Sequence, residues 1–210
     1  MKNKTDFSSL SSIYDVLGLL MFQGSLHSSQ VYFFDKMPKI KKALILGGGT
    51  GKFLVDLLNS VLVEKVIYVD ISPGMIAKAK DKVRKLKLEN KVEFICGGFE
   101  SIPVGQYDLI CTHYFLDCFE EEHIVEMLQV LKKSLSENGV WHFTDFYLDS
   151  GSSFLRKKFV AFLYFFFRTS CGLKVDKLAN FKKVFKNTGF KRIEEKYFRR
   201  RLLRTALYKN

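Results

Sequence analysis

Lys42-Ala43-Leu44-Ile45-Leu46-Gly47-Gly48-Gly49-Thr50-Gly51-Lys52-Phe53 decides how this chain folds. A short apolar run, Ala43–Leu46, stops at a glycine cluster, and a segment with helical apolar periodicity follows. The order is strand, tight turn, helix start. Glycines in such a turn let the backbone approach a ligand with no side chain in the way. A second strand, Val66–Val69, ends at Asp70. That is about 20 residues past the turn, the spacing at which a carboxylate meets a ribose hydroxyl. Turn and carboxylate together point to a nucleoside site.

The glycine spacing narrows the ligand. A dinucleotide fingerprint, G-x-G-x-x-G, fails, because its sixth position is Lys52 counted from Gly47 and Leu54 counted from Gly49. A phosphate-binding P-loop fails as well, with Leu46 and Phe53 where it needs a glycine and a Ser or Thr. What remains is G-x-G-x-G at Gly47, Gly49 and Gly51. That pattern resembles motif I of the class I S-adenosylmethionine-dependent methyltransferases. The resemblance runs on through Asp70, Ile71-Ser72-Pro73-Gly74-Met75, the Cys96–Pro103 loop and the strand ending at Thr112, covering residues 40 to 145. It is strongest to the small-molecule branch that includes ubiquinone and menaquinone biosynthesis enzymes.

Strands and helices alternate along the chain. Strands at Ala43–Leu46, Val66–Val69, Val92–Cys96, Leu109–Thr112 and Val140–Phe143 are separated by helices at Lys52–Ser60, Pro73 to Leu86 and Glu120 to Leu135. Ser72 caps the Pro73 helix, and Gly139 marks a turn into the next strand. Parallel strands need such crossovers, so the pattern predicts a doubly wound α/β sheet with helices on both faces. After Gly189, strands at Phe190–Phe198 and Leu202–Tyr208 form a hairpin, which ends the sheet antiparallel. The resemblance implies seven strands in a Rossmann-like methyltransferase fold. One domain is expected over residues 1–210. Its parts are a helical lid at 1–38, a cofactor core at 40–145, substrate-cover helices at 151–189 and the hairpin at 190–210.

Ligands in such sheets bind at the carboxyl ends of the strands. Asp70 there is placed to accept from both ribose hydroxyls. The resemblance implies S-adenosylmethionine as cofactor, with Gly47, Gly49 and Gly51 facing its methionine and ribose. It also implies Ile71 and Met75 as apolar contacts for the adenine, although core roles suit both equally. Family members carry an Asp for the adenine amino group where this chain has Gly98. Backbone of Gly98 and Phe99, or the Glu100 carboxylate, then has to serve. Ile45 stands where relatives often have an acidic residue. The resemblance places Tyr14 as a lid residue over the methionine end, against the alternative of an amphipathic helix on the sheet edge.

The segment Thr112-His113-Tyr114-Phe115-Leu116-Asp117-Cys118-Phe119 sits at the acceptor-proximal motif. It lacks the Pro-Pro pair of nucleic-acid amino methylases, which argues against a nucleic-acid substrate. The resemblance implies that Thr112 and His113 border the cofactor. Four residues separate His113 from Asp117, so a helical continuation would pair them as a general base. The alternatives are His113 packing on the adenine and Asp117 capping the next helix. Asp145 is a third candidate base. Asp145 is followed by Phe146, not a second carboxylate, so no metal is expected.

Charge is split along the chain. Residues 1–150 carry 17 Lys and Arg against 19 Asp and Glu; residues 151–210 carry 17 against 3. The basic third suits an anionic partner, or is a solvated surface. Phe159–Phe167 is a nine-residue apolar run between Arg156-Lys157-Lys158 and Arg168, too short to span a bilayer. It reads as a buried helix of the outer layer or as a lid for a lipophilic or aromatic acceptor, with peripheral membrane contact secondary. The start, Met1–Ser12, lacks the apolar core of a secretory signal, and four cysteines form no C-x-x-C. Free thiols and a cytoplasmic setting are expected. Besides a small-molecule methyltransferase, two readings stay open. One is an aminopropyltransferase of the spermidine-synthase kind, which would want a further acidic pair. The other is an RNA- or membrane-binding protein with a vestigial cofactor site. Oligomeric state is not encoded in any motif.

Overall fold

The computed structural model describes residues 24–171 and 174–210. Seven strands form one sheet: β1 Ile40–Leu46, β2 Val63–Asp70, β3 Val92–Cys96, β4 Tyr107–His113, β5 Leu135–Phe146, β6 Lys191–Phe198 and β7 Leu203–Lys209. Their order is β3-β2-β1-β4-β5-β7-β6. The first five are parallel, and β7 runs antiparallel to both β5 and β6. The hairpin therefore folds back so that its second strand, not its first, meets the sheet. Among the described residues, six helices flank the strands: α1 Ser25–Val31, α2 Lys52–Ser60, α3 Pro73–Lys85, α4 Glu121–Ser134, α5 Phe154–Cys171 and α6 Phe181–Asn187. The expected helical lid at 1–38 is described only from residue 24, and Tyr14 lies outside the described residues.

Alternation along the central strands divides the core in two. Leu44, Leu46, Ile67, Val69, Ile110, Trp141 and Phe143 face α4 and α6. Ala43, Ile45, Val66, Tyr68, Leu109 and Cys111 face α2 and α3. Each large apolar side chain buried this way stabilises the fold by about 1.5–3 kcal/mol, so a one-residue slip of any central strand is strongly disfavoured. β2, β4 and β5 are longer than their apolar runs, because backbone pairing carries polar ends such as Glu64, Lys65 and Asp108 into the ladder. Gly139 makes no turn ahead of β5. Tyr107 pairs Leu135 while Leu109 pairs Val140, so the residues between Leu135 and Val140 bulge out of the ladder and the strand begins directly after α4.

Helix α5 buries Val160, Leu163 and Tyr164 on one face. Its opposite face is open: Phe154, Leu155, Phe162 and Phe165 are all exposed, Phe165 at 66%. The helix thus packs on the fold, but it is not enclosed on several sides. No described helix is long and apolar enough to cross a membrane. The hairpin reverses through Arg199, Arg200 and Arg201, all three at positive φ. Cys96, Cys111 and Cys118 are thiols outside any disulfide.

Candidate cofactor and acceptor site

The carboxyl ends of β1, β2, β3, β4 and β5 converge where the sequence places its nucleoside site. After Leu46 the chain turns through Gly47, Gly49 and Gly51 at φ 62°, 63° and 78°. Gly47 stays tied to the sheet by its N–H, which donates to Val69 O at 2.9 Å. Gly51 caps α2, and a Cβ there would stand 2.7 Å from Ala79 Cβ and 2.9 Å from Ala79 Cα. At Gly49 an added Cβ would meet nothing within 4 Å. Gly51 is therefore glycine for packing, and Gly49 is glycine on a face left open. The first turn of α2 carries no side-chain cap, which leaves its N–H groups for a ligand.

Asp70, 8% exposed, ties this loop to the next one. Its Oδ2 accepts from Gly49 N–H at 2.8 Å and its Oδ1 from Ser72 N–H at 2.9 Å. Burial raises its pKa, and those two N–H groups work against the rise. Each oxygen keeps a second lone pair for a ribose hydroxyl. Tyr68 braces the loop from below, donating to Gly49 O at 2.8 Å. Ser72 caps α3 as expected, its Oγ accepting from Met75 N–H at 3.3 Å, with Pro73 in the first turn. Met75 is half-buried and Ile71 is 59% exposed beside the loop. The missing carboxylate at Gly98 has a structural answer. A Cβ at 98 would stand 2.6 Å from Glu100 Oε2, so Glu100 folds its carboxylate back over that glycine. Phe99 packs its ring against the core, which leaves its backbone at the edge.

The segment after β4 departs from the sequence expectation. Thr112 turns its hydroxyl into the core, where it accepts from Trp141 Nε1 at 2.8 Å. His113 points to the other face, edge-on to Phe53 at 4.3 Å and to His142 at 4.5 Å between ring centroids. Burial and His142 hold its pKa well below the ordinary value. The chain then passes through Tyr114 at φ 51° and a 3-10 turn, Leu116–Cys118, not an α-helix. The one-face geometry that would pair His113 with Asp117 does not arise, and no contact joins the two. Asp117 also leaves α4 uncapped; Glu120 occupies that position without a side-chain bond.

Asp117 instead meets Asp145. Asp117 N–H donates to Asp145 Oδ2 at 3.2 Å, and Phe146 N–H donates to Asp145 Oδ1 at 2.8 Å. Burial raises Asp117 to a pKa of about 6, while burial and the Asp117 charge push Asp145 well above the carboxylate range. Two tyrosines close over the pair. Tyr164 of α5 donates to Asp117 O at 3.0 Å, and Tyr114 shares a 2.7 Å hydrogen bond with Ser29 of α1. Tyr114 and Tyr164 went unread in the sequence because they converge only through tertiary packing with Val160, Leu203 and Phe146.

A glycine loop open at Gly49, a buried carboxylate holding it and a buried acid pair at the ends of neighbouring strands offer hydrogen-bond acceptors for a nucleoside and a group that can take up a proton. Residues 43–139 match a family described as a methyltransferase domain. The chain is 36% identical over 105 residues to malonyl-[acyl-carrier protein] O-methyltransferase of Priestia megaterium, covering 49% of this chain and 36% of that one. It is 26% identical over 134 residues to the mitochondrial 2-methoxy-6-polyprenyl-1,4-benzoquinol methylase of Caenorhabditis elegans, covering 60% and 47%. The chain spans less than half the length of these two relatives. Among solved structures it superposes on mitomycin 7-O-methyltransferase at a TM-score of 0.72 and 15% identity, covering 99% of this chain and 61% of that one. On an S-adenosylmethionine-dependent methyltransferase from Clostridium acetobutylicum the values are 0.65 and 14%, covering 97% and 98%. Over residues 43–139 the chain is similar to a methyltransferase domain, and S-adenosylmethionine is the cofactor that this similarity supports. The open Gly49 face and the spare lone pairs of Asp70 fit that cofactor.

Proposed function

We propose that this protein transfers a methyl group from S-adenosylmethionine to a small apolar or aromatic acceptor, with the Asp117–Asp145 pair receiving the acceptor's proton. The observation that carries the cofactor half is Asp70, whose two oxygens hold Gly49 and Ser72 and each keep a lone pair for a further donor. Bound S-adenosylmethionine supplies a methyl group already activated on its sulfonium. The chain has to orient it, exclude water and manage one proton. In this reading Gly47, Gly49 and Gly51 cradle the methionine end through backbone, Asp70 holds the ribose, and Ile71, Met75 and Glu100 border the adenine. Two carboxylates this close cannot both ionise readily, so Asp117, the less buried, takes a proton near neutral pH. His113, edge-on to both Phe53 and His142, is a wall of the site and not its base.

The apolar acceptor class rests on Tyr114 and Tyr164, which lie by the acid pair, with Phe159 of α5 packed in the same cluster. The outward face of α5, with Phe162 and Phe165 beside Arg156, Lys157 and Lys158, gives the helix a second use against an anionic lipid surface. The acid pair that aminopropyl transfer would want is present across two strands. The choice of methyl transfer rests on the relatives, among them an O-methyltransferase and a methylase.

The test is cofactor affinity. Asp70→Ala is expected to weaken S-adenosylmethionine binding by about tenfold or more in calorimetry, equivalent to about 1.4 kcal/mol or above, because charge-assisted hydrogen bonds are lost. Unchanged affinity in a folded variant would refute the site.

A further inference from the structure

We propose that Cys111, His113 and His142 form a buried binding site for a soft d10 cation, Cu+ or Zn2+. Cys111 and His113 are two residues apart on β4 and so share a face, and His142 sits directly opposite Cys111 on β5. One donor atom from each lies within 4.8 Å of the other two. All three side chains are buried. This proposal is independent of the methyl-transfer reading.

Two nitrogens of this cluster are unpartnered. His113 Nε2 and His142 Nδ1 are buried and have no hydrogen-bond partner. Thr205 Oγ1 lies 3.3 Å from Phe143 O, 2.8 Å from Thr144 Oγ1 and 3.0 Å from His142 Nε2. When its single proton goes to Phe143 O or to Thr144, it accepts from His142 Nε2, and that is the arrangement the site would use. With its proton on Nε2, His142 keeps its Nδ1 lone pair free. A hydrogen bond that fixes the far nitrogen of an imidazole is the usual support behind a metal-binding histidine. Buried polar atoms without partners are rare in native cores, and a shared cation satisfies both nitrogens at once.

The donor set selects the ion. One thiolate and two neutral imidazoles suit late, soft cations and disfavour Mg2+ and Ca2+. Binding exchanges the Cys111 thiol proton, released to solvent, for a sulfur–metal bond. The ring of Phe53, 4.3 Å from His113, and that of Phe33, 5.8 Å from His142, wall the cluster off. Cu+ with one thiolate leaves no net charge and needs no further ligand, which suits such a dry pocket. Zn2+ leaves one positive charge and takes a fourth ligand in most sites.

The experiment is metal titration of the chelator-treated full chain with Cu+ alone and with Zn2+ alone, read by native mass spectrometry and by competition against a chromophoric chelator. One ion per chain is expected. Cys111→Ser should weaken binding at least 100-fold, and Thr205→Val by about 10- to 100-fold through loss of the fixed tautomer. Cys96→Ser, which removes an exposed thiol, should leave binding unchanged. Uptake of Zn2+ alone with the same variant pattern supports the site and assigns the ion. If Cys111→Ser does not fold, Thr205→Val decides by the same readout. No uptake of either ion, or uptake insensitive to both Cys111→Ser and Thr205→Val, overturns the proposal.

Discussion

At the scale of single residues, the cofactor loop separates glycines by what they face. Gly51→Ala forces a methyl group onto Ala79 and onto a φ of 78°, so it should unfold the protein at distinctly lower temperature. Gly49→Ala has open space but sits at φ 63°, on the face offered to the ligand. It should keep most of its stability, losing about 1–2 kcal/mol to backbone strain, while binding S-adenosylmethionine about tenfold or more weakly. Thermal melts and calorimetry on the two variants check this; equal losses of affinity and stability in both would merge the roles. Asp70 and the Ser72 cap were legible because each is a local pattern with fixed spacing. The separation of His113 from Asp117 was not. It turns on Tyr114 adopting a left-handed backbone, which an aromatic residue seldom does and which no neighbouring residue signals.

At the scale of elements, apolar runs located every strand but started β1, β2, β4 and β5 too late, β1 at Ala43 in place of Ile40 and β2 at Val66 in place of Val63. Pairing, not composition, carries Lys42, Glu64 and Asp108 into the ladder, and the bulge before Val140 let α4 run into β5 without the turn that Gly139 suggested. Helix α5 reads either as buried in the outer layer or as a lid packed on the fold. The face bearing Phe154, Leu155, Phe162 and Phe165 is open while Val160, Leu163 and Tyr164 are covered, so it packs by one face only. If that outer face meets lipid, the protein should cosediment with vesicles rich in phosphatidylserine and not with neutral ones, and salt should weaken the association. Phe162→Ser with Phe165→Ser should cut binding at least tenfold. Equal binding to neutral vesicles would remove the electrostatic part, and no binding to either would remove the membrane contact.

Across the molecule, two buried pairs pull pH stability in opposite directions. His113 and His142 are held neutral, His142 with a pKa of about 3, while the unfolded chain protonates them below about 6.5; they therefore cost stability as pH falls. Asp117 and Asp145 have raised values, Asp117 about 6, so the fold binds protons that the unfolded chain releases above about 4. They cost stability as pH rises through the same window. Asp117→Asn removes one charge of the acid pair and leaves the histidines. Its melting temperature should exceed that of the natural sequence at pH 7.5 and lose that advantage by pH 5; a constant difference would mean the carboxylates are not coupled. The seven-stranded order itself was legible from alternation and from the resemblance. The pairing of Asp117 with Asp145 joins residues from neighbouring strand ends, and a linear spacing does not reveal it.

The hairpin that completes the sheet also sets an order of events in time. β5, the longest strand, pairs β4 on one side and β7 on the other. Ribosomes add roughly 5–20 residues per second, so β5 is fully synthesised roughly 3–13 s before Lys209 is joined. During that interval the edge through Trp141, Phe143 and Asp145 has unpaired N–H and C=O groups and no cover from Leu203–Lys209. A nascent chain stalled there exposes a sticky border, and two such chains can each lend the other a hairpin. Synthesis speed over the basic final third thus becomes a determinant of yield, and synonymous codons that slow it should favour exchanged dimers over monomers.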